Sequence, residues 1–386
     1  MKRAPLDAVI AGVGESPLGK VPGLDALELQ RCAAQAALDD AGLGFDDIDG
    51  LLTTPQRVTG WSMPCGVVAE GLGIQTRYIA TLDLTGASGT AMVHHAAMAV
   101  STGQCETVLC VGGQNLLTFS SRGSAVQSMA EAGSPFETPY GPLVPTKYAL
   151  IAQRHMHEYG TTPEQLAEVA VAMRGHAMLN PNAQMRTPIT VADVLASRMV
   201  STPLHVLDCA LVSDGAAAFV VTSRERARDL RKPAVQLLGH GYGFSHAYVG
   251  DYRTATTTSA VRSGRDAFAM AGLTPADIDV AELYDCFTIT VIVELEDLGF
   301  CPKGEGGRFV EGGRIRLGGE LPVTTHGGLL SAGHPGYAGG MFHVVEGVRQ
   351  LRGEADRRQV ANAEIALVHN NGGVLGMHCT LILARA

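Results

Sequence analysis

One stretch of this chain occurs twice. Ala41-Gly42-Leu43 followed by Asp47-Ile48-Asp49 returns 230 positions on (42 to 272, 49 to 279) as Ala271-Gly272-Leu273 followed by Asp277-Ile278-Asp279. Around the first copy, Asp7–Val13 reads as a buried strand and Leu24–Ala41 as a helix. In that helix Leu27, Ala34, Leu38 and Ala41 share a face, Asp39 and Asp40 lie outside, and Gly42 stands where a C-terminal cap belongs. A short strand is expected at Gly50–Thr53. A second echo follows: Gly86-Ala87-Ser88-Gly89 opens a helix leading to a strand at Thr107–Val111 and then Gly112-Gly113, and Gly336-Tyr337-Ala338-Gly339 opens one leading to Ile365–Val368 and then Gly372-Gly373. The same order of elements in both places predicts two similar α/β halves related by a pseudo-twofold, residues 1–230 and 231–386. Residues from about 114 to 205 break the pattern as an insertion in the first half, with helices at Lys147–Tyr159 and Pro163–Ala177. Insertions of this kind over a rigid core commonly build a lid or substrate wall.

Composition narrows what such a fold can serve. Hydrophobic residues make up 46% and charged ones 17%, so the chain has the apolar mass for an extensive core. Net charge is −9 and no basic run exceeds two residues, as at Arg357–Arg358, which argues against a phosphate-tracking nucleic-acid surface. Apolar runs such as Phe219–Val221 fall far short of the about 20 residues of a membrane span. Met1-Lys2-Arg3 leads into Ala8-Val9-Ile10 without a secretory apolar core, so a cytoplasmic protein is expected. The eight cysteines include no Cys-x-x-Cys pair, which disfavours structural zinc and disulfides. His94-His95 and His155-x-His157 lack a clustered third ligand, so no metal site is expected. Gly112-Gly113 and Gly372-Gly373 lack the Lys-Ser/Thr of a phosphate loop and read as close-packing turns at the sheet ends.

Five strings in order then carry a resemblance: Tyr148-Ala149-Leu150, Glu158-Tyr159-Gly160-Thr161-Thr162, Ser213-Asp214-Gly215-Ala216-Ala217-Ala218, Tyr284-Asp285-Cys286-Phe287-Thr288 and Gly333-His334-Pro335-Gly336. Together they resemble the thiolase superfamily, in its sterol-carrier-protein-x-like branch, over nearly the whole chain. The resemblance implies a five-layered αβαβα fold, an acyl-coenzyme A thioester substrate with coenzyme A as part of it and no tightly bound cofactor, and a homodimer. It also places the dimer contact on the strand after the nucleophile helix, here Thr107–Val111.

Thiolases attack the thioester with a cysteine at a helix start, hold its oxygen with an Asn or His and with a Gly-His-Pro histidine, and move the α-proton with a late cysteine. This chain departs at three of these four places. Gly86 stands at the nucleophile position, Val368 or His369 at the late cysteine, and Tyr284 at the polar residue of the third loop. Only His334 remains in kind. Without a thiol at 86 no acyl-enzyme forms there. A coenzyme A pocket, a helix N-terminus and an imidazole can still stabilise a thioester enolate, and an enolate without acyl transfer means aldol chemistry.

The pattern therefore resembles the thiolase-like aldolases that cleave steroid side chains and act with a small OB-fold partner that binds acyl-coenzyme A. It implies a retro-aldolase cleaving a β-hydroxyacyl-coenzyme A, as a homodimer joined by two such partners. The expected catalytic residues are Tyr284, Tyr337, His334 and Asp285, with the phenol pKa brought down by its neighbours. Asp285 could relay charge to Tyr284 or only orient its loop. Gly86, Ser88, His369 and Gly372 are expected at the coenzyme A thioester. The competing readings are an acyltransferase with a displaced nucleophile, Cys65 being one candidate, and a non-catalytic thioester-binding scaffold.

Overall fold

The computed structural model describes residues 6–56, 59–119, 136–141, 143–251 and 254–385. The chain opens with β1 (Val9–Glu15) and α1 (Ala26–Ala41). α1 starts where the Asp25 carboxylate accepts from the Leu27 and Glu28 backbone N–H groups and Glu28 accepts in return from the Asp25 N–H. It ends at Gly42, whose φ of 77° is the left-handed cap expected there. Then come β2 (Gly50–Thr53), α2 (Pro64–Leu72), β3 (Tyr78–Thr81), α3 (Ser88–Ser101) and β4 (Thr107–Asn115). The inserted segment supplies α4 (Val144–Tyr159), α5 (Pro163–Ala177) and a small ribbon of β5 (Met199–Ser201) and β6 (Leu204–His205). Its first part lies largely outside the described residues. β7 (Asp214–Thr222) closes the first half.

The second half follows the same order, except that an isolated bridge at Val323 stands where β3 would: β8 (Val235–Phe244), α6 (Ala260–Ala271), β9 (Val280–Leu283), α7 (Thr288–Asp297), α8 (Gly339–Arg352), β10 (Ile365–Gly372) and β11 (Met377–Arg385). The repeated aspartates explain why the motif recurs. Asp49 accepts from the backbone N–H groups of Glu106 and Thr107 at the start of β4, and Asp279 accepts from those of Glu364 and Ile365 at the start of β10. Each carboxylate pins a distant strand to its own half. Gly272 repeats the left-handed cap of Gly42, with φ 70°.

The strands run in the order β3-β2-β4-β7-β1-β8-β11-β10-β9. β1 joins the halves through two pairs, Val9 with Gln236 and Ile10 with Val235, so the strands form one continuous mixed sheet. The five layers are nonetheless those expected. α1 and α2 bury Leu29, Leu38 and Leu72 against Leu51, Leu109 and Val220. α3 and α8 lie between the two halves, where Met92, Phe342 and Val345 meet Phe219 and Val368. α6 and α7 cover the remaining face with Phe268 and Ile292 against Leu283, Leu367 and Ile382.

Two expectations need correction here. Gly112 and Gly113 are not turns but interior residues of β4, where a Cβ would stand 2.7 Å from Thr54 Oγ1 and 2.2 Å from Ala216 Cβ respectively. Neighbouring side chains fill the space that only glycine leaves. β4 also cannot carry the dimer contact, because β2 and β7 take both of its hydrogen-bonding edges. The strand left at that end of the sheet is β3. Among the described residues no helix is long and apolar enough to cross a membrane.

Candidate active site

The duplicated layout puts several loops at one place. Gly86 lies just before α3, Tyr284 just after β9, His334 and Tyr337 just before α8, and Gly372 at the end of β10. All five line one cavity of about 580 Å³, whose wall is otherwise mostly apolar and includes residues of the inserted segment such as Leu143, Val144 and Val200. The inserted segment thus supplies part of the cavity wall.

Its centre is the pair Tyr284 and His334, with the phenol oxygen 3.2 Å from Nε2. Burial lowers the His334 pKa to about 4, and the nearby Asp285 charge only partly offsets this, so the ring is neutral at ordinary pH. The ring donates to the Leu211 backbone carbonyl, which leaves Nε2 as the acceptor for the Tyr284 hydroxyl. The expectation of an acidified phenol is reversed. Burial first, then the neighbouring Cys286, Asp285 and Glu294, push the Tyr284 pKa well above 10. The shift favours the neutral phenol over the phenolate.

Gly86 is what gives this phenol its place. A Cβ at position 86 would stand 2.4 Å from Tyr284 Cζ, 2.5 Å from its hydroxyl and 2.4 Å from the Asn371 carbonyl oxygen. No side chain at 86, thiol or other, fits beside the tyrosine.

The other expected residues play supporting parts. Ser88 does not reach the cavity: its hydroxyl donates to the Thr85 carbonyl and accepts from the Leu84 N–H, closing the turn that carries Gly86. Asp285 is also off the cavity wall, fully buried, accepting from the Leu329 and Leu330 N–H groups at 2.7 and 3.1 Å. It holds the segment that leads into His334 and does not itself reach the cavity. His369 shares a face of β10 with Asn371, both turning toward Glu294, but it lies two residues further from the strand end and does not reach the cavity. There Nδ1 meets Thr380 Oγ1 at 2.8 Å and Nε2 meets His378 Nδ1 at 2.9 Å.

Asn371, two residues further on, lines the cavity in its stead and was not singled out from sequence. Its Nδ2 donates to Glu294 Oε1 at 2.7 Å, and its Oδ1 accepts from the Tyr148 hydroxyl at 3.2 Å. Tyr148, stacked on Phe287 with centroids 4.3 Å apart, is a second wall residue that the sequence did not mark as functional. An amide pair ending an otherwise apolar strand was the available signal. Glu294 also comes within reach of His369 and His378, a buried grouping spread over three elements.

Two cysteines, Cys209 and Cys286, lie on the wall. Burial pushes both thiols up to about 12, so neither is a ready nucleophile. Cys65 is not on the wall; it sits in the first turn of α2, its backbone N–H bonded to Thr81 Oγ1.

The buried histidines also set an acid limit. His334 and His176 are lowered to about 4 and His378 to about 3, against about 6.5 in an unfolded chain. Each depressed pKa contributes stability that is full above about 6.5 and is lost as pH falls toward the folded value. Urea midpoints should drop steadily between pH 6.5 and 4; a midpoint that rises over that interval would contradict neutral burial of these rings.

The chain matches the thiolase N-terminal domain family over residues 8–225 and the thiolase C-terminal domain-like family over residues 241–385. It is 38% identical to the 17-hydroxy-3-oxo-4-pregnene-20-carboxyl-CoA lyase of Mycobacterium tuberculosis, over 95% of this chain and 97% of that one. It is 36% identical to an acetyl-CoA acetyltransferase of Methanothermobacter thermautotrophicus, over 98% of this chain and all of that one. Among solved structures, the Ltp2-ChsH2(DUF35) aldolase superposes with a TM-score of 0.88 at 37% identity, covering 99% of this chain and 98% of that one.

Proposed function

The chain belongs to the thiolase family, and from that premise we propose that it works as a retro-aldolase, cleaving a β-hydroxyacyl-coenzyme A into a ketone and a shorter acyl-coenzyme A. The observation that carries this reading is the exchange at one point in space: glycine where a nucleophile would stand, and the Tyr284 phenol filling the room. Relatives named as a lyase on a steroid carboxyl-CoA and as an aldolase support it, and a large apolar cavity suits a steroid leaving ketone. Arg198, a cation on the wall, suits the phosphates of the coenzyme A end.

In the cleavage step the Tyr284 oxygen takes the proton of the substrate β-hydroxyl as its own proton passes to His334 Nε2. The alkoxide electrons form the ketone C=O, and the Cα–Cβ pair moves into the thioester as an enolate. Buildup of negative charge beside the new imidazolium offsets the cost of protonating a buried ring. The N-terminus of α3, reached through Gly86, faces the same charge. Tyr337 then protonates Cα, and the proton held by His334 returns through the phenols, so the cycle is proton-neutral.

The acyltransferase reading, kept alive by the acetyltransferase relative, requires a covalent acyl-enzyme. Incubation with a β-hydroxyacyl-coenzyme A carrying a tertiary β-hydroxyl should release ketone and short acyl-coenzyme A, with the intact protein mass unchanged. Acyl transfer through a stable adduct on any cysteine would end the aldolase reading, and no turnover even with a partner present would favour the scaffold.

The assembly proposed is a homodimer joined along β3, which takes the place of β4 as the dimer strand, with two small OB-fold partner chains. The open edge of β3, with Ile79 42% exposed, supports the first part, and the DUF35 named in the aldolase structure supports the second. Light scattering at micromolar concentration should give twice the chain mass; a monomer there rejects the dimer.

A further inference from the structure

A second cavity, of about 260 Å³, lies between α5 and the loops carrying Ile189 and Leu317, and shares no wall residue with the first. One wall residue is Arg174, only 3% exposed. Its Nε donates to Ser331 Oγ at 2.9 Å and its Nη1 to the Thr187 carbonyl at 2.8 Å. Both partners are neutral. Among the described residues Nη2 has no partner and no carboxylate pairs with the group, while burial works against its charge. A buried charge is ordinarily matched by an opposite one, so this guanidinium lacks its counter-ion. Arg316, also on the wall, pairs with Glu168 at 2.8 Å and adds no net charge. The rest of the lining is largely apolar, with Val171, Met178, Leu179, Pro188, Ile189 and Leu317.

We propose that this cavity binds a small monocarboxylate with a short apolar tail, its carboxylate on Arg174 and its tail against Val171, Ile189 and Leu317. A guanidinium is built for a carboxylate. A single unmatched positive charge in apolar surroundings favours a monoanion, since a phosphate dianion would bring a second charge with no partner. The site also has an address in the fold: Ser331, held by Arg174, precedes His334 by three positions in the same segment.

Gly175 gives a clean variant. It lies at the mouth, on α5, and a Cβ built there meets nothing within 4 Å. Gly175→Leu puts bulk in the opening, leaves the bonds of Arg174 intact, and replaces a helix-weakening glycine. Titration of the full chain by calorimetry with sodium butyrate, and with sodium phosphate at equal ionic strength, is the test. Butyrate should bind saturably, and more tightly than phosphate. Arg174→Gln should weaken it by at least about tenfold through the loss of one charge-assisted pair, and Gly175→Leu by at least about tenfold by filling the opening; should Arg174→Gln fail to fold, Gly175→Leu decides alone. No saturable butyrate binding, tighter binding of phosphate, or unchanged affinity in Gly175→Leu would overturn the proposal.

Discussion

Tyr284→Phe should lower kcat by about 10²–10⁴ with KM little changed. The substitution keeps the ring and its packing and removes only the hydroxyl that bonds to His334 Nε2 at 3.2 Å. Stability should fall by no more than the about 1 kcal/mol of one hydrogen bond. The rate is expected to fall so much further because, in the proposed mechanism, that oxygen links the substrate hydroxyl to the neutral imidazole. His334→Ala should lose a comparable factor, and the double variant little more than either single one, since the two act as one relay. Tyr337→Phe should lose less than Tyr284→Phe. Ketone release measured for each variant at matched folding stability decides the matter. If Tyr284→Phe and Tyr337→Phe both keep more than about a tenth of kcat, neither phenol is the acid–base group, and Asn371 on the same wall becomes the next residue to vary.

Gly86→Ala should be at least as damaging, for a different reason. Its methyl would stand 2.4 Å from Tyr284 Cζ and 2.4 Å from the Asn371 carbonyl oxygen, inside any tolerable contact. The tyrosine can swing only by giving up His334, and the carbonyl is backbone at the end of β10, so both partners of the relay and the wall itself must shift. Overpacking of this kind costs about 1–3 kcal/mol of stability, and activity should fall by more than about 10³-fold as the proton path breaks. Gly86→Cys should fail equally and should not gain acyl transfer, because the thiol would need the space that the phenol occupies. Thermal unfolding and turnover of both variants test this; wild-type activity in Gly86→Ala would mean that position 86 does not abut the working phenol.

The contrast between these residues shows where the sequence stops. The repeat at 42 and 272, with its aspartates at 49 and 279, determined the two-half architecture, because capping glycines and strand-pinning carboxylates act through neighbours a few residues away or through backbone that must be satisfied. Gly86, Tyr284, His334 and Tyr337 were singled out because the family resemblance places their loops at the active site, and the fold brings all four to one cavity. What separates them was not legible in the sequence. Whether His369 or Asn371 reaches the cavity depends on where the strand ends: the two share a face, and because β10 runs to Gly372 rather than stopping at Val368, Asn371 stands at the cavity while His369 lies two residues deeper, against Thr380 and His378. The direction of the Tyr284 pKa depends on how deeply the ring is buried and on which carboxylates surround it, Asp285 from the next residue and Glu294 from the following helix. The edge strand depends on pairing order, which places β4 inside the sheet and β3 at its end. Local chemistry and repetition could be read along the chain; burial, depth and adjacency depend on residues far apart in sequence, and only the folded arrangement assigns them.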